Sequence, residues 1–125
     1  MTRTPTRLFA GGIAGLLPVT AAALWVALPA QAAPPKLTGV VGPGFDITLK
    51  KSGKTVKALK AGAYSLSVTD RSSIHNFRLS GPGVKFDSGI GRRSTRTVTV
   101  TLKKGTYKFL CDPHTLVMSG SFKVG

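Results

Sequence analysis

Cysteine is almost missing from this chain: Cys111 is the only one in 125 residues. Outside the cytoplasm one cysteine cannot close an internal disulfide, and an exposed thiol there invites oxidation. Cys111 must then be buried and inert, paired between chains, or bound to a metal. Acid is scarce too, with four Asp and no Glu against 18 Lys and Arg, a formal charge of +14. Histidine occurs only at His75 and His114, and the only methionine beyond Met1 is Met118. The only tryptophan is Trp25. Export, for which the leader below argues, and so few aromatic platforms for stacking on bases mean that no nucleic-acid partner is expected.

The first 32 residues do not read as part of a domain. Arg3 and Arg7 form a short positive region, an apolar run follows from Leu8 to Leu28, and Ala30-Gln31-Ala32 has the small-x-small pattern of a signal-peptidase site. Gly11, Gly12, Gly15 and Pro18 weaken the run as a spanning helix, so cleavage after Ala32 is expected over retention as an anchor. No Cys stands near the cleavage site to carry a lipid, and no twin-Arg pair precedes the run. That points to the general secretory route and a periplasmic or secreted product.

Cleavage leaves residues 33–125, a length of 93 that suits one small domain. That part keeps 16 Lys and Arg and all four Asp, a formal +12. Such an excess attracts anionic partners: acidic proteins, membrane headgroups or polyanions. A merely solvated basic surface is the competing reading.

From Pro34 onward the pattern is β. Tyr64, Leu66 and Val68 alternate with Ser65, Ser67 and Thr69, and Val98, Val100 and Leu102 alternate with threonines. A period of two lays one face on a core and leaves the other wet. Short strands are also expected at Leu37–Val41, Phe45–Leu49, Thr55–Leu59, Ile74–Leu79, Thr106–Cys111 and Gly120–Val124, with Gly- and Pro-rich turns between them. Lys51, Lys54, Lys57 and Lys60 recur every three residues, which competes for a helix. Gly53 and Gly62 leave such a helix too short to stand alone, so a strand with a solvated lysine edge is expected. About eight short strands and no long helix predict an all-β sandwich.

The chemistry gathers at four residues. Cys111-Asp112-Pro113-His114-Thr115-Leu116-Val117-Met118 holds three of them, and His75 stands upstream in Ile74-His75-Asn76-Phe77. Two imidazoles and a thiolate, with a weak axial thioether, are the donors of a blue-copper electron-transfer centre. Strand parity places His75 on the side of Phe77 and Leu79, and Cys111 on the side of Tyr107 and Phe109, so both are expected to face the interior. A lone buried His or Met is usually packing. Here every His, the only Cys and the only internal Met fall into one pattern. Zinc favours four Cys or His donors and takes thioether poorly, and a c-type haem needs a second Cys. Pro113 lacks an N–H, which leaves fewer donors around the sulfur and tends to raise a reduction potential.

Ala61-Gly62-Ala63-Tyr64, His75-Asn76-Phe77, Gly105-Thr106-Tyr107, Cys111-Asp112-Pro113-His114 and Gly120-Ser121-Phe122 occur in an order that resembles a cupredoxin of the plastocyanin, pseudoazurin and amicyanin type. The resemblance runs from Ala61 to Gly125. It implies a Greek-key sandwich, one type 1 copper ion, His75, Cys111 and His114 as strong ligands, Met118 as the axial one, and Asn76 as the tie between the ligand-bearing loops. One departure is plain: three residues separate His114 from Met118, one fewer than in many plastocyanin-like loops and one more than in amicyanin-like ones.

The function expected from this pattern is one-electron transfer, with redox partner proteins, acidic in character, docking near His114, Leu116 and Val117 on a monomer. A multicopper enzyme needs many more histidines. Copper homeostasis proteins use exposed Met- and His-rich sites, which this chain lacks. A sandwich with a purely structural metal is the remaining alternative.

Overall fold

The computed structural model describes residues 10–125, and the leader features at Arg3, Arg7 and Leu8 lie outside the described residues. Two units are distinguished, Met1–Gln31 and Ala32–Gly125. In the first, residues 10–31 carry no regular secondary structure. Among the described residues no helix is long and apolar enough to cross a membrane.

The second unit is built from ten strands: β1 Lys36–Val41, β2 Ile47–Lys51, β3 Lys54–Thr55, β4 Ala58–Leu59, β5 Gly62–Asp70, β6 Arg78–Gly81, β7 Val84–Asp87, β8 Ser94–Leu102, β9 Gly105–Leu110 and β10 Ser119–Val124. They form two mixed five-stranded sheets, in the orders β3-β2-β1-β5-β8 and β4-β10-β9-β6-β7. The β1–β5 and β4–β10 pairs are parallel, and the other pairs are antiparallel. The alternation read along β5 is the one that buries Tyr64, Leu66, Val68 and Asp70. Leu37, Leu79, Phe77, Tyr107 and Phe122 fill the space between the sheets, with the Tyr107 and Phe122 rings stacked 5.3 Å apart.

The all-β sandwich is present, with local differences. Thr55–Leu59 is two short strands rather than one: β3 edges one sheet and β4 the other, and Val56 turns into the core between them. The lysine row nevertheless lies in extended, solvated chain, with no helix. The expected strand at Phe45 starts only at Ile47, because Gly42-Pro43-Gly44 holds Phe45 in a bend. Of Ile74–Leu79, residues 74–77 are loop and the strand begins at Arg78. His75, Asn76 and Phe77 are all fully buried, so alternation does not explain how His75 comes to face inward. The strand at Val84–Asp87 was not foreseen, since Gly81-Pro82-Gly83 reads as a turn without showing that the chain doubles back.

The register fixes two poles. β5 begins at Gly62 opposite Leu102 and ends at Asp70 opposite Ser94. Loops 42–46, 71–77, 88–93 and 111–118 gather at the Asp70 end. Segment 51–62 and the Lys103-Lys104 turn gather at the other end, where the Tyr64 hydroxyl donates to the Lys60 carbonyl at 2.7 Å and the Tyr107 hydroxyl to that of Pro82 at 2.6 Å.

Candidate metal centre

The Cys111 loop is shaped by its own backbone. Cys111 N–H donates to the Met118 carbonyl at 3.0 Å, closing the loop base. Asp112–His114 form a 3-10 turn with Pro113 in its first positions, where a missing N–H costs nothing. The N–H groups of His114 and Met118 bond the carbonyls of Cys111 and His114, at 3.0 and 2.8 Å. The turn swings the His114 ring back over Cys111.

The His75 loop is held by a buried polar chain. Asp70, 2 % exposed, accepts from the Ser72 N–H and from the Ser88 hydroxyl, both at 3.0 Å. Ser88 Oγ in turn accepts the Phe77 N–H at 2.8 Å. These bonds fix the backbone on both sides of His75. Two glycines make room for it. A Cβ on Gly39 would come within 2.9 Å of the Phe77 ring, and one on Gly42 within 3.3 Å of His75 Cδ2. Gly42 also needs its φ of +70°, which other residues rarely adopt.

Three donor atoms converge as a result. His75 Nδ1 lies 3.1 Å from His114 Nδ1, and Cys111 Sγ lies 3.6 and 3.7 Å from the two nitrogens. A first-row metal bonded at about 2.0 Å to nitrogen and about 2.3 Å to sulfur in a trigonal plane would space its donors by roughly 3.5 and 3.7 Å. The spacing found fits such an ion. His75 and Cys111 are fully buried, and His114 is partly exposed. His75 Nε2 is buried without a hydrogen-bond partner. With Nδ1 turned toward the other donors, the ring is oriented for metal binding rather than for its own polar satisfaction. Met118 is also fully buried, at the loop base beside Cys111 in the backbone ladder.

The two ligand loops are tied to each other. The Asn76 side-chain oxygen accepts the Asp112 N–H at 2.7 Å, and its amide donates to Asp112 Oδ2 at 2.7 Å and to Asp87 Oδ1 at 3.0 Å. Arg78 adds bonds from Nε and Nη2 to Asp112 Oδ2, at 3.0 and 2.8 Å. Its bond to Asp112, then that carboxylate's charge, holds the guanidinium above its ordinary value. Partial burial pushes the Asp87 carboxyl up. Hydrogen bonds from Asn76 and the Gly89 N–H, with the charges of Arg78 and Arg96, more than reverse this and leave it below the usual carboxylate range.

Sequence reasoning missed Phe45, whose ring meets both imidazoles edge-on, at 5.3 Å from His75 and 4.8 Å from His114. It missed Arg78, Asp87, Asp70 and Ser88 as well. Nothing local marks them, because their partners come from other strands.

Fold and donor set define a mononuclear copper protein of the blue type. Residues 41–125 match the copper binding proteins of the plastocyanin/azurin family, and the chain belongs to that family. Its cofactor is a single type 1 copper ion, which the His75, Cys111 and His114 arrangement fits. No curated protein sequence matches the chain. Among solved structures it is similar to reduced rusticyanin, at 19% identity and a TM-score of 0.52, covering 72% of this chain and 78% of that one. It is also similar to auracyanin A, a "blue" copper protein from the green thermophilic photosynthetic bacterium Chloroflexus aurantiacus. There the identity is 19% and the TM-score 0.51, with coverage of 74% of this chain and all of the other. At these identities the likeness is one of fold.

Proposed function

We propose that this protein is an exported one-electron carrier, in which His75, Cys111, His114 and Met118 hold the copper and no substrate chemistry takes place. The observation that carries the reading is the burial of the donor set, with only the His114 ring reaching the surface. A closed site of this kind leaves no position for a substrate, yet leaves one imidazole at the boundary for an electron to cross. Bound there, copper supplies a Cu(I)/Cu(II) couple. His75 and Cys111 exclude water, and the Asn76 tie holds the two loops in one spacing whichever charge the site carries.

An apolar rim supports a docking role for this pole. Within residues 32–125 the exposed large apolar side chains are Phe45, Ile74, Ile90, Leu116 and Val117, and every one lies in a loop at the ligand pole. A small apolar contact of this kind suits a transient redox encounter. Arg71, Arg92 and Arg93 stand exposed in the same loops, where an acidic partner would meet them.

Copper titration with visible spectroscopy tests the site. The parent should show the intense thiolate-to-copper band, Cys111→Ala should lose it, and Met118→Gln should keep colour at a lowered potential. A Cys111→Ala protein that stays coloured refutes the ligand set, and an unmoved potential removes Met118 from it. Export rests on Ala30-Gln31-Ala32. The intact mass of the exported protein should correspond to a chain starting near Ala33, and a mass that includes Trp25 overturns cleavage.

A further inference from the structure

The unbalanced positive charge of the domain lies away from the electron port, where five arginines stand among the four aspartates. All four aspartates, Asp46, Asp70, Asp87 and Asp112, sit at the ligand pole, and loops 42–46, 71–77, 88–93 and 111–118 contain no lysine. At the opposite pole Lys51, Lys54, Lys57 and Lys60 line one open cleft of about 970 Å³ together with Pro35, where the chain enters the sandwich. All four are exposed, as are Lys36 and the Lys103-Lys104 turn beside them. From Ile47 to Thr69 there is no acidic residue to neutralise this end.

We infer that the lysine pole is a second interaction surface, one that binds an anionic phospholipid membrane and turns the copper pole away from it. The composition of the pole selects this partner. Protein interfaces use aromatic, arginine and apolar anchors and are depleted in lysine. Here the exposed apolar side chains are all at the other pole, and so are the five arginines of residues 32–125, from Arg71 to Arg96. What remains is a set of flexible point charges without fixed bidentate geometry, which suits a fluid array of phosphates better than a carboxylate surface of one shape. Long-range steering would also bring a soluble acidic partner to this end, away from His114, unless the end is already occupied. The inference stands apart from the copper assignment, since no ligand lies at this pole.

The test is co-sedimentation of the exported protein with phosphatidylcholine vesicles, with and without roughly a third phosphatidylglycerol. Binding should require the anionic lipid and should disappear between about 0.05 M and about 0.5 M salt. Each lysine neutralised should weaken it about fivefold, so Lys54→Gln with Lys57→Gln should cost about twenty-five-fold. Both residues are exposed, and an unchanged thermal midpoint confirms that the variant is folded. Arg92→Gln with Arg93→Gln, at the ligand pole, should leave vesicle binding unchanged. Equal binding to both vesicle types, or an arginine pair that matters as much as the lysine pair, overturns the inference. Salt-sensitive binding to polyglutamate without binding to vesicles also overturns it and assigns the pole to an acidic protein.

Discussion

Replacing Asn76 by Ala separates a buried tie from an exposed one. Asn76 is fully buried and makes three hydrogen bonds, one from the Asp112 N–H and two to carboxylates. A neutral bond of this kind is worth about 1 kcal/mol net, and a bond to a charged acceptor somewhat more. Both carboxylates are partly exposed and regain water when the amide is removed, so we count them at about 1 kcal/mol each. The Asp112 N–H, part-buried and left without its acceptor, brings the loss to about 3 kcal/mol. A domain of this size is stable by roughly 5–14 kcal/mol, so the loss is a large share. In thermal unfolding it should lower the midpoint by about 12–24 °C. The measurement belongs on the copper-free protein, because bound metal would add its own binding free energy to the folded state. Arg78→Gln is the control. It removes as many hydrogen bonds to Asp112, but from a side chain about half exposed, where solvent screens the charge, and its midpoint should move far less. A drop below about 5 °C for Asn76→Ala, or an equal drop for Arg78→Gln, would refute the reasoning.

Leu116→Asp should slow electron exchange with a partner protein at least severalfold while leaving the visible spectrum nearly unchanged, because Leu116 is 97% exposed and is not one of the convergent ligand groups. Unchanged kinetics would remove the Leu116 rim from the electron port. Asp87 supplies a pH dependence. Its folded-state value is depressed, so its contribution to stability is full above the unfolded carboxylate value and is lost as pH falls through the folded one. Thermal midpoints of the parent and of Asp87→Asn should therefore converge at the acid end of a pH series. Curves that stay parallel there would show that Asp87 titrates alike in both states.

Much of the fold and the donors of the site were legible because they obey local rules. The period of two along β5 and β8 and the Gly-Pro turns report burial and chain reversal directly. The grouping of His75, Cys111 and His114 is legible for a different reason: with so few His and Cys present, it has little competition. What stayed hidden depends on partners far along the chain. His75 is buried in a loop, held by Asp70 and Ser88, and only the fold brings these together. His75 does face inward, but from a loop and not from the strand whose parity predicts it. The sequence places Phe45 at the start of a strand with Ile47 and Leu49, while its contacts with both imidazoles arise from the bend before β2. The charge count was legible, but its segregation was not. A sum of +12 carries no direction, and it took the register of β5 to show that lysines and aspartates occupy opposite poles.

Under the function proposed above, the Cys111 loop divides two tasks between its base and its tip. At the base the Cys111 N–H closes on Met118, and Asp112 is clamped by Asn76 and Arg78, so the sulfur is held by bonds on both sides. At the tip Thr115, Leu116 and Val117 are exposed, and among them only Val117 donates a backbone bond, a long one of 3.2 Å to His114. A metal site that must keep one geometry gains from the first arrangement, since ligands already in place need not be reorganised. A docking surface that must release its partner quickly gains from the second, because apolar contact without a hydrogen-bonded frame moulds easily and buries little area. His114 stands at the joint. Its N–H belongs to the braced turn, its ring nitrogen faces Cys111 and His75, and its partly exposed ring packs edge-on against Phe45. With the spacing Cys111-Asp112-Pro113-His114, a single 3-10 turn aims the imidazole back at the sulfur, 3.7 Å away.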